Sequence, residues 1–328
     1  MKTPTKRLRR GFTLVELIVA MAITSGLVFV IMQLTNQGVA LWQKVQEDVS
    51  TSTSGRVALQ TMARDLESFQ MKGNNQYEWL FAKTDTEHRG GKMPKGLNIP
   101  RSVQFVFFSC APDRNPAVSS STSLRRNYRE ARSHNPETQG DVNAIGYRLM
   151  YRDQVLNLDA SDKEKGIFPI FSLYRLLVSP RDSYDRLMGQ SSLEAAYVPF
   201  EKQEADNFLC ENIVELSLLF NIEYVNSEAD AKTGRVGYET VSVPVVSSTG
   251  STGGKSISVY GDRIVAGSKT YRNARIVSAT MSITVLTEEG VALMEQIRQG
   301  RRRAPRTEDF FRSYTRAFAR SVLLPQPI

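Results

Sequence analysis

The longest run of apolar side chains lies near the start of the chain, after a short polar stretch. Residues 12–32 form this run of 21 residues, which contains a single acid, Glu16. About 20 apolar helical residues cross the roughly 30 Å hydrocarbon core of a bilayer. The pattern therefore predicts a transmembrane helix over residues 12–33.

A more polar helical pattern follows the apolar run. Over residues 34–72, apolar side chains recur every three or four positions, which places them on one helix face: Leu59, Met62, Ala63, Leu66 and Phe69. This spacing predicts that the helix continues and packs against a globular head. Residues 50–55 are a weak interval in the pattern, where a kink or a break fits the sequence.

From residue 73 onward, the pattern changes to short strands rich in aromatic and branched residues. No helical crossovers separate these strands, so we expect antiparallel pairing. The predicted fold is α+β, with a long N-terminal helix packed on an antiparallel head (residues 73–328) of one or two sheets. The predicted strands are 102–108, 144–151, 170–177, 213–224, 240–246 and 274–287.

Two polar stretches, residues 111–140 and 227–269, are predicted to be long loops of the head. Residues 247–256 within the second are rich in Ser, Thr and Gly and are expected to be flexible. The C-terminal tail fits two descriptions, because residues 308–320 have helical spacing while residues 315–324 also suit a final strand.

Positive charge is concentrated ahead of the apolar run. The chain has 42 Lys and Arg against 34 Asp and Glu, a net charge of +8, and without residues 1–11 this falls to +3. The basic balance therefore gives little support for nucleic-acid binding, and we interpret Arg301 to Arg303 as an exposed turn. The five bases in the leader are Lys2, Lys6, Arg7, Arg9 and Arg10.

The junction at residues 9–16, RRGFTLVE, resembles the N-terminal leader signal of type IV pilins and of the pseudopilins of type II secretion systems. The resemblance implies cleavage between Gly11 and Phe12 by a prepilin peptidase, followed by N-methylation of Phe12. A glycine at the cut allows close approach of the backbone to a peptidase. Matching recognition residues are Arg9, Arg10, Thr13 and Leu14.

Glu16 needs a physical reason, because an acid in the hydrocarbon costs about 2.5 to 3.5 kcal/mol at mid-span. The resemblance implies that its carboxylate neutralises the new N-terminal amine of a neighbouring subunit and so sets the subunit's register in a filament. The alternative is that Glu16, one turn inside the bilayer, only reaches back to the interface.

A looser resemblance connects the head to J-type minor pseudopilins. Residues 56–69 contain the Arg64-Asp65-Leu66 step, and residues 209–224 and 274–287 resemble strands of that family. The implied function is a minor pseudopilin that initiates or caps a periplasmic filament. The implied partners are the prepilin peptidase/methyltransferase, other minor and major pseudopilins bound through the N-terminal helix, and the inner-membrane assembly platform.

The basic leader predicts a cytoplasmic N-terminus and a single pass through the inner membrane, with the head in the periplasm.

Two other functions remain open. One is a tip-displayed adhesin or a DNA- or substrate-binding minor pilin, and the other is a plain membrane-anchored protein with an accidental leader match. A secretory signal peptide fits less well, because no small-residue cleavage site follows Met32.

The sequence does not predict an enzyme. Its two histidines, His88 and His134, lie in polar loop sequence. Residues 253–256 (GGKS) resemble the end of a phosphate loop, but the first glycine of that motif would stand at position 249, which is Thr249. We expect no cofactor and no bound metal. Cys110 and Cys210 either form one disulfide in an oxidising compartment or remain buried thiols.

Overall fold

The computed structural model describes residues 13–84, 96–97, 99, 103–110, 142–156, 158–159, 167–200, 207–226, 237–245 and 256–325. The chain divides into two compact units, Met1–Ser50 and Thr51–Ile328. The predicted loop at residues 111–140 lies outside the described residues.

Helix α1 spans Leu14–Glu67. Nearly every side chain before Thr51 is exposed, whereas within the second unit α1 buries one face. Residues 50–55, the weak interval, are themselves helical. The predicted amphipathic continuation is confirmed and ends at Glu67, a few residues short of the expected end. The buried residues of α1 are Thr51, Gly55, Ala58, Leu59, Met62, Ala63, Asp65 and Leu66.

The head contains two antiparallel sheets. Sheet A has nine strands in the order β11-β10-β9-β1-β2-β3-β5-β6, with β4 paired to β3. Its strands are β1 (Glu78–Thr84), β2 (Val103–Ser109), β3 (Asn143–Asp153), β4 (Leu158–Asp159), β5 (Ile170–Leu177), β6 (Phe208–Glu211), β9 (Ser256–Tyr260), β10 (Arg263–Ala266) and β11 (Lys269–Arg272).

Sheet B has four strands in the order β13-β12-β7-β8. Alternation along its two central strands places apolar residues in the core and Ser, Thr and Glu on the other face. The α+β prediction with two antiparallel sheets is therefore confirmed. The strands of sheet B are β7 (Ile213–Asn226), β8 (Gly237–Val245), β12 (Ala274–Leu286) and β13 (Thr315–Leu323).

Three shorter helices complete the described head. They are α2 (Leu193–Tyr197), α3 (Glu288–Arg298) and α4 (Thr307–Tyr314), and single helical turns cover Pro180–Asp182, Ser183–Leu187 and Val198–Phe200. The tail contains both the helix and the final strand that its sequence fits, one after the other. Helix α4 ends at Tyr314, and β13 begins at the next residue.

The predicted long loop at residues 227–269 is wrong over much of its length. Strands β8, β9 and β10 lie within it, and β11 begins at its last residue. The polar composition misled the prediction because β8 and β11 are edge strands with largely exposed side chains. The described part of the segment therefore extends both sheets.

Candidate functional site: the start of α1 and its buried contacts in the head

Thr13 and Glu16 form a capping box at the N-terminus of α1. The Glu16 carboxylate Oε2 accepts from the Thr13 backbone N–H at 3.0 Å and from Thr13 Oγ1 at 3.1 Å. In return, the Glu16 backbone N–H donates to Thr13 Oγ1 at 3.3 Å. Two N–H groups that a helix start leaves without intrahelical partners are thereby satisfied.

The apolar part of α1 is exposed along its length. Its polar hydroxyls bond within the helix: Ser25 Oγ donates to the Met21 carbonyl at 2.6 Å, and Thr35 Oγ1 donates to the Ile31 carbonyl at 2.8 Å. Since each hydroxyl has an internal partner, lipid need not supply one. Among the described residues, α1 is the one helix long and apolar enough to cross a membrane.

The remaining residues of the predicted processing signal, Arg9, Arg10, Gly11 and Phe12, lie outside the described residues. Leu14 is the first residue of α1 and is 75% exposed. The described part therefore begins at the second residue after the predicted cut, where Thr13 caps the helix.

Within the head, α1 is held by a buried carboxylate, Asp65, whose side chain is fully buried. Arg175 on β5 binds it through two bonds, Nε to Oδ2 at 2.7 Å and Nη2 to Oδ1 at 2.9 Å. Tyr147 on β3 donates its hydroxyl to Oδ2, and Ser109 on β2 donates to the Asp65 carbonyl at 2.8 Å. Three neighbouring strands thus bind one residue of α1.

Burial and charge shift two pKa values in this Asp65 cluster. Burial, followed by the negative charge of Asp65, raises the pKa of the Tyr147 phenol well above its ordinary value. Burial alone would lower the pKa of Arg175, but its hydrogen bond to Asp65 raises it instead. Tyr147 therefore stays a neutral donor and Arg175 a cation, which is the arrangement that keeps a buried carboxylate paired.

Sequence reasoning identified Asp65 within the Arg64-Asp65-Leu66 step but missed Tyr147 and Arg175. Both lie in strands that were predicted, and they are register partners across β3 and β5. The signal available was an arginine within an otherwise apolar strand. Its partner lies 110 positions away in the chain, which local periodicity does not reveal.

Of the two alternatives left open for Cys110 and Cys210, one disulfide or two thiols, the structure has two thiols. Cys110 follows β2 and Cys210 lies in β6, and β3 and β5 lie between those strands. Three strand spacings amount to about 14 Å, whereas bonded cysteines need Cα atoms within about 7 Å. The alternative of two thiols describes the structure.

Among the described residues, no group of three His, Cys, Asp or Glu side chains is placed to hold a metal ion. His88 and His134 lie outside the described residues, as do all but Ser256 of the glycine-rich string at residues 253–256.

One comparison with known proteins gives a match at the N-terminus. Residues 6–25 match the family described as the prokaryotic N-terminal methylation motif. No curated protein and no solved structure matches the chain significantly. Together with the apolar helix, the motif indicates a membrane-anchored protein that carries a type IV pilin-like N-terminal signal.

Proposed function

We propose that this protein is a minor pilin or pseudopilin, a structural subunit of a periplasmic filament in a type II secretion or type IV pilus-like system. The observation that carries the proposal is the methylation motif over residues 6–25 at the start of an apolar helix. A prepilin peptidase cuts between Gly11 and Phe12 and methylates the new amine, and the head initiates or caps the filament.

Assembly depends on Glu16 in this proposal. Its Oε2 atom is used by the capping box, while Oε1 has no hydrogen-bond partner within the described part of the chain. A carboxylate has about four acceptor positions, so capping leaves room for the Phe12 ammonium of a neighbouring subunit. That ion pair offsets the cost of the acid in lipid and fixes the register between subunits.

The Asp65 cluster supports a role for α1 in transmitting force to the head. A subunit extracted from the membrane through its helix transmits force to its head through the contacts between the two. The bidentate Asp65–Arg175 pair is well suited to resist such force, because separating it leaves a buried charge without a partner.

The first experiment determines the start of the mature chain. Mass spectrometry of the protein purified from its native membrane should show a chain that begins with N-methylated Phe12. Gly11→Val should accumulate a form heavier by the leader. An intact Met1 or Lys2 start in the native protein would refute trimming and favour a plain membrane-anchored protein.

The second experiment separates the two uses of Glu16. Glu16→Ala removes both the cap and the charge, whereas Glu16→Gln keeps a capping-box side chain and removes the charge. We expect both variants to be inserted and trimmed, and both to be absent from filaments. Normal incorporation of Glu16→Gln would contradict charge pairing and leave capping as the role of Glu16.

A further inference from the structure

One end of sheet A carries three exposed apolar side chains close together in the fold. Val155 is 92% exposed, and Leu156 and Phe168 are each 48% exposed. Val155 and Leu156 follow β3, and Phe168 precedes β5, the strand paired with β3. We call Val155, Leu156 and Phe168 the apolar tip.

Asp153 holds the backbone of the apolar tip in place. Its Oδ1 accepts from the backbone N–H groups of Val155 and Leu156, each at 2.9 Å, and its Oδ2 accepts from that of Phe168 at 2.6 Å. All three backbone donors of the tip are therefore satisfied inside the protein. Burying the tip in an apolar phase leaves none of these N–H groups without a partner.

The tip lies toward the end of the head that holds Ser54, near the first buried residues of α1. On β3, Tyr147 contacts Asp65. Two residues later, Leu149 pairs with Leu173 on β5, which pairs in turn with Cys210 on β6. The Cys210 thiol contacts the Ser54 carbonyl of α1. β3 therefore runs from the level of Asp65 toward the start of the buried part of α1. Asp153 lies four residues farther on, about 13 Å beyond Leu149.

An arginine cluster adjoins the apolar tip. Arg298 Nη2, at the end of α3, donates to the Ile167 carbonyl at 2.9 Å, next to Phe168. One turn farther on, Arg301, Arg302 and Arg303 are exposed and have no ion-pair partner in the described part of the chain. Two nearby acids are already engaged, since Glu295 pairs with Arg298 and Asp153 binds the tip backbone.

The charge distribution singles out the same region. Residues 301–328 contain seven arginines, no lysine and two acids. With the leader's five bases also set aside, residues 12–300 contain 30 basic and 32 acidic residues. The C-terminal segment therefore carries the net positive charge of the mature chain, and the attraction it exerts is toward anions.

We propose that the apolar tip and Arg301 to Arg303 form a docking surface for an anionic lipid bilayer. Apolar side chains at the acyl boundary together with arginines at the phosphates are the chemistry of peripheral membrane binding. Residues 33–50, about 27 Å of helix, join the head to the apolar run that can cross the bilayer. The inference uses the membrane anchor and is independent of trimming and filament assembly.

The test uses the full chain with Cys110→Ser and Val155→Cys, labelled with an environment-sensitive fluorophore. The protein is reconstituted into nanodiscs of phosphatidylcholine, with or without phosphatidylglycerol. A matched control carries the label at Tyr238→Cys on β8, where the native side chain is 73% exposed. Arg301→Gln, Arg302→Gln and Arg303→Gln are then combined in the Val155→Cys protein.

We expect a blue shift of the Val155→Cys label in discs with phosphatidylglycerol and none for the Tyr238→Cys label. Each arginine should contribute about fivefold to the ratio of docked to undocked protein, so the triple variant should reduce that ratio roughly a hundredfold. About 1 M salt should abolish the arginine contribution. The labelled positions and the three arginines are exposed, and Cys110→Ser is common to both labelled proteins, so a change in folding is not expected to mimic the result.

Equal spectra for the two labels would overturn the proposal. So would a blue shift that appears in detergent and grows with protein concentration, because that would identify a second protein copy as the occupant. A shift of equal size in neutral and anionic discs would refute the role of the arginines in lipid binding.

Discussion

At the residue scale, burial and hydrogen bonding decide what the reactive groups of this chain can do. Glu16 is bonded to Thr13 in its own first turn, so its cost in lipid is partly offset before any neighbour binds. Cys210 is buried, and its sulfur lies 3.5 Å from the Ser54 carbonyl oxygen. Burial raises the pKa of the Cys210 thiol to about 11, so it stays protonated at neutral pH.

We expect alkylation to distinguish the two cysteines. Thiolate is the reactive species, and both burial and the raised pKa of Cys210 suppress it, whereas Cys110 is only partly buried. In folded protein at neutral pH, iodoacetamide should modify Cys110 well before Cys210. Peptide mass spectrometry over a time course provides the measurement.

The control for this prediction is Cys110→Ser, which should remain nearly unmodified until denaturant is added. Rapid native labelling of Cys210 would mean that β6 opens readily. Failure of either cysteine to react even in denaturant would indicate a disulfide and contradict the two-thiol structure.

At the element scale, the second half of α1 is held by contacts of two kinds. Asp65 forms the ion pair and hydrogen bonds to sheet A. Gly55 allows close approach, because a Cβ atom at that position would lie 2.7 Å from Cδ2 of Phe318 on β13. Strands from both sheets therefore contact this helix.

Breaking the Asp65 cluster from one side should be more damaging than removing the pair. Asp65→Leu leaves Arg175 buried without its anion, and we expect the free energy of unfolding to fall by about 3 to 5 kcal/mol. Arg175→Met should cost a similar amount. The double variant should cost less than either, because no unpaired charge remains.

Urea unfolding of the detergent-solubilised chain, followed by the fluorescence of buried Trp79, measures these differences. Tyr147→Phe is the milder control, since it removes one hydrogen bond to a charged acceptor, worth about 1.5 to 3 kcal/mol. Additive losses in the Asp65 and Arg175 double variant would show that the two residues act independently.

Gly55→Val should also destabilise the head. Overpacking against the Phe318 ring costs about 1 to 3 kcal/mol. The higher helix propensity of Val than of Gly offsets only a few tenths of a kcal/mol of this cost. Phe318→Leu in the same chain should restore part of the loss in urea unfolding. Gly38→Val is the matched control, because no atom lies within 4 Å of that Cβ position.

At the scale of the whole molecule, the sequence predicted those strands that are rich in aromatic and branched residues, whether one face or both faces are buried. The branched residues of 274–287 identified β12, and the predicted strand at residues 170–177 has the bounds of β5. Strand β1 was missed because Glu78 and Lys83 enclose a run of only four apolar residues, Trp79 to Ala82. Helix α3 was missed although Thr287 caps it, with its hydroxyl accepting from Gly290.

The candidate site, like the fold, was predicted only in part. The start of α1 was predicted because its residues are adjacent in sequence, although the Thr13-to-Glu16 spacing of a capping box went unnoticed. The Asp65 cluster joins positions more than 80 residues apart, and the bond from Arg298 to Ile167 beside the apolar tip joins positions 131 residues apart. Only the assembled sheet reveals such contacts, because sequence periodicity reports a residue's own element and not its neighbour.

The head contains two acids whose pKa values shift in opposite directions. Burial raises the pKa of Glu78 above its ordinary 4.5, although the N–H of Leu193 donates to its carboxylate. Burial acts the same way on Asp153, but the backbone donors of Leu156, Phe168 and Val155 outweigh it and lower that pKa below 3.8. Ionisation of Glu78 should therefore lower the free energy of unfolding as the pH rises, and protonation of Asp153 should lower it as the pH falls.

For Glu78 the folded pKa exceeds the unfolded value, so its stabilising contribution is complete below pH 4.5 and is lost as the pH rises through the folded pKa. For Asp153 the contribution is present above pH 3.8 and is lost as the pH falls through the folded pKa. Glu78→Gln should flatten the decline in unfolding free energy toward neutral pH, and Asp153→Asn should flatten the acid limb. Urea midpoints of the three proteins across this pH range provide the measurement, and parallel curves for all three would show that other groups govern the pH dependence of the head.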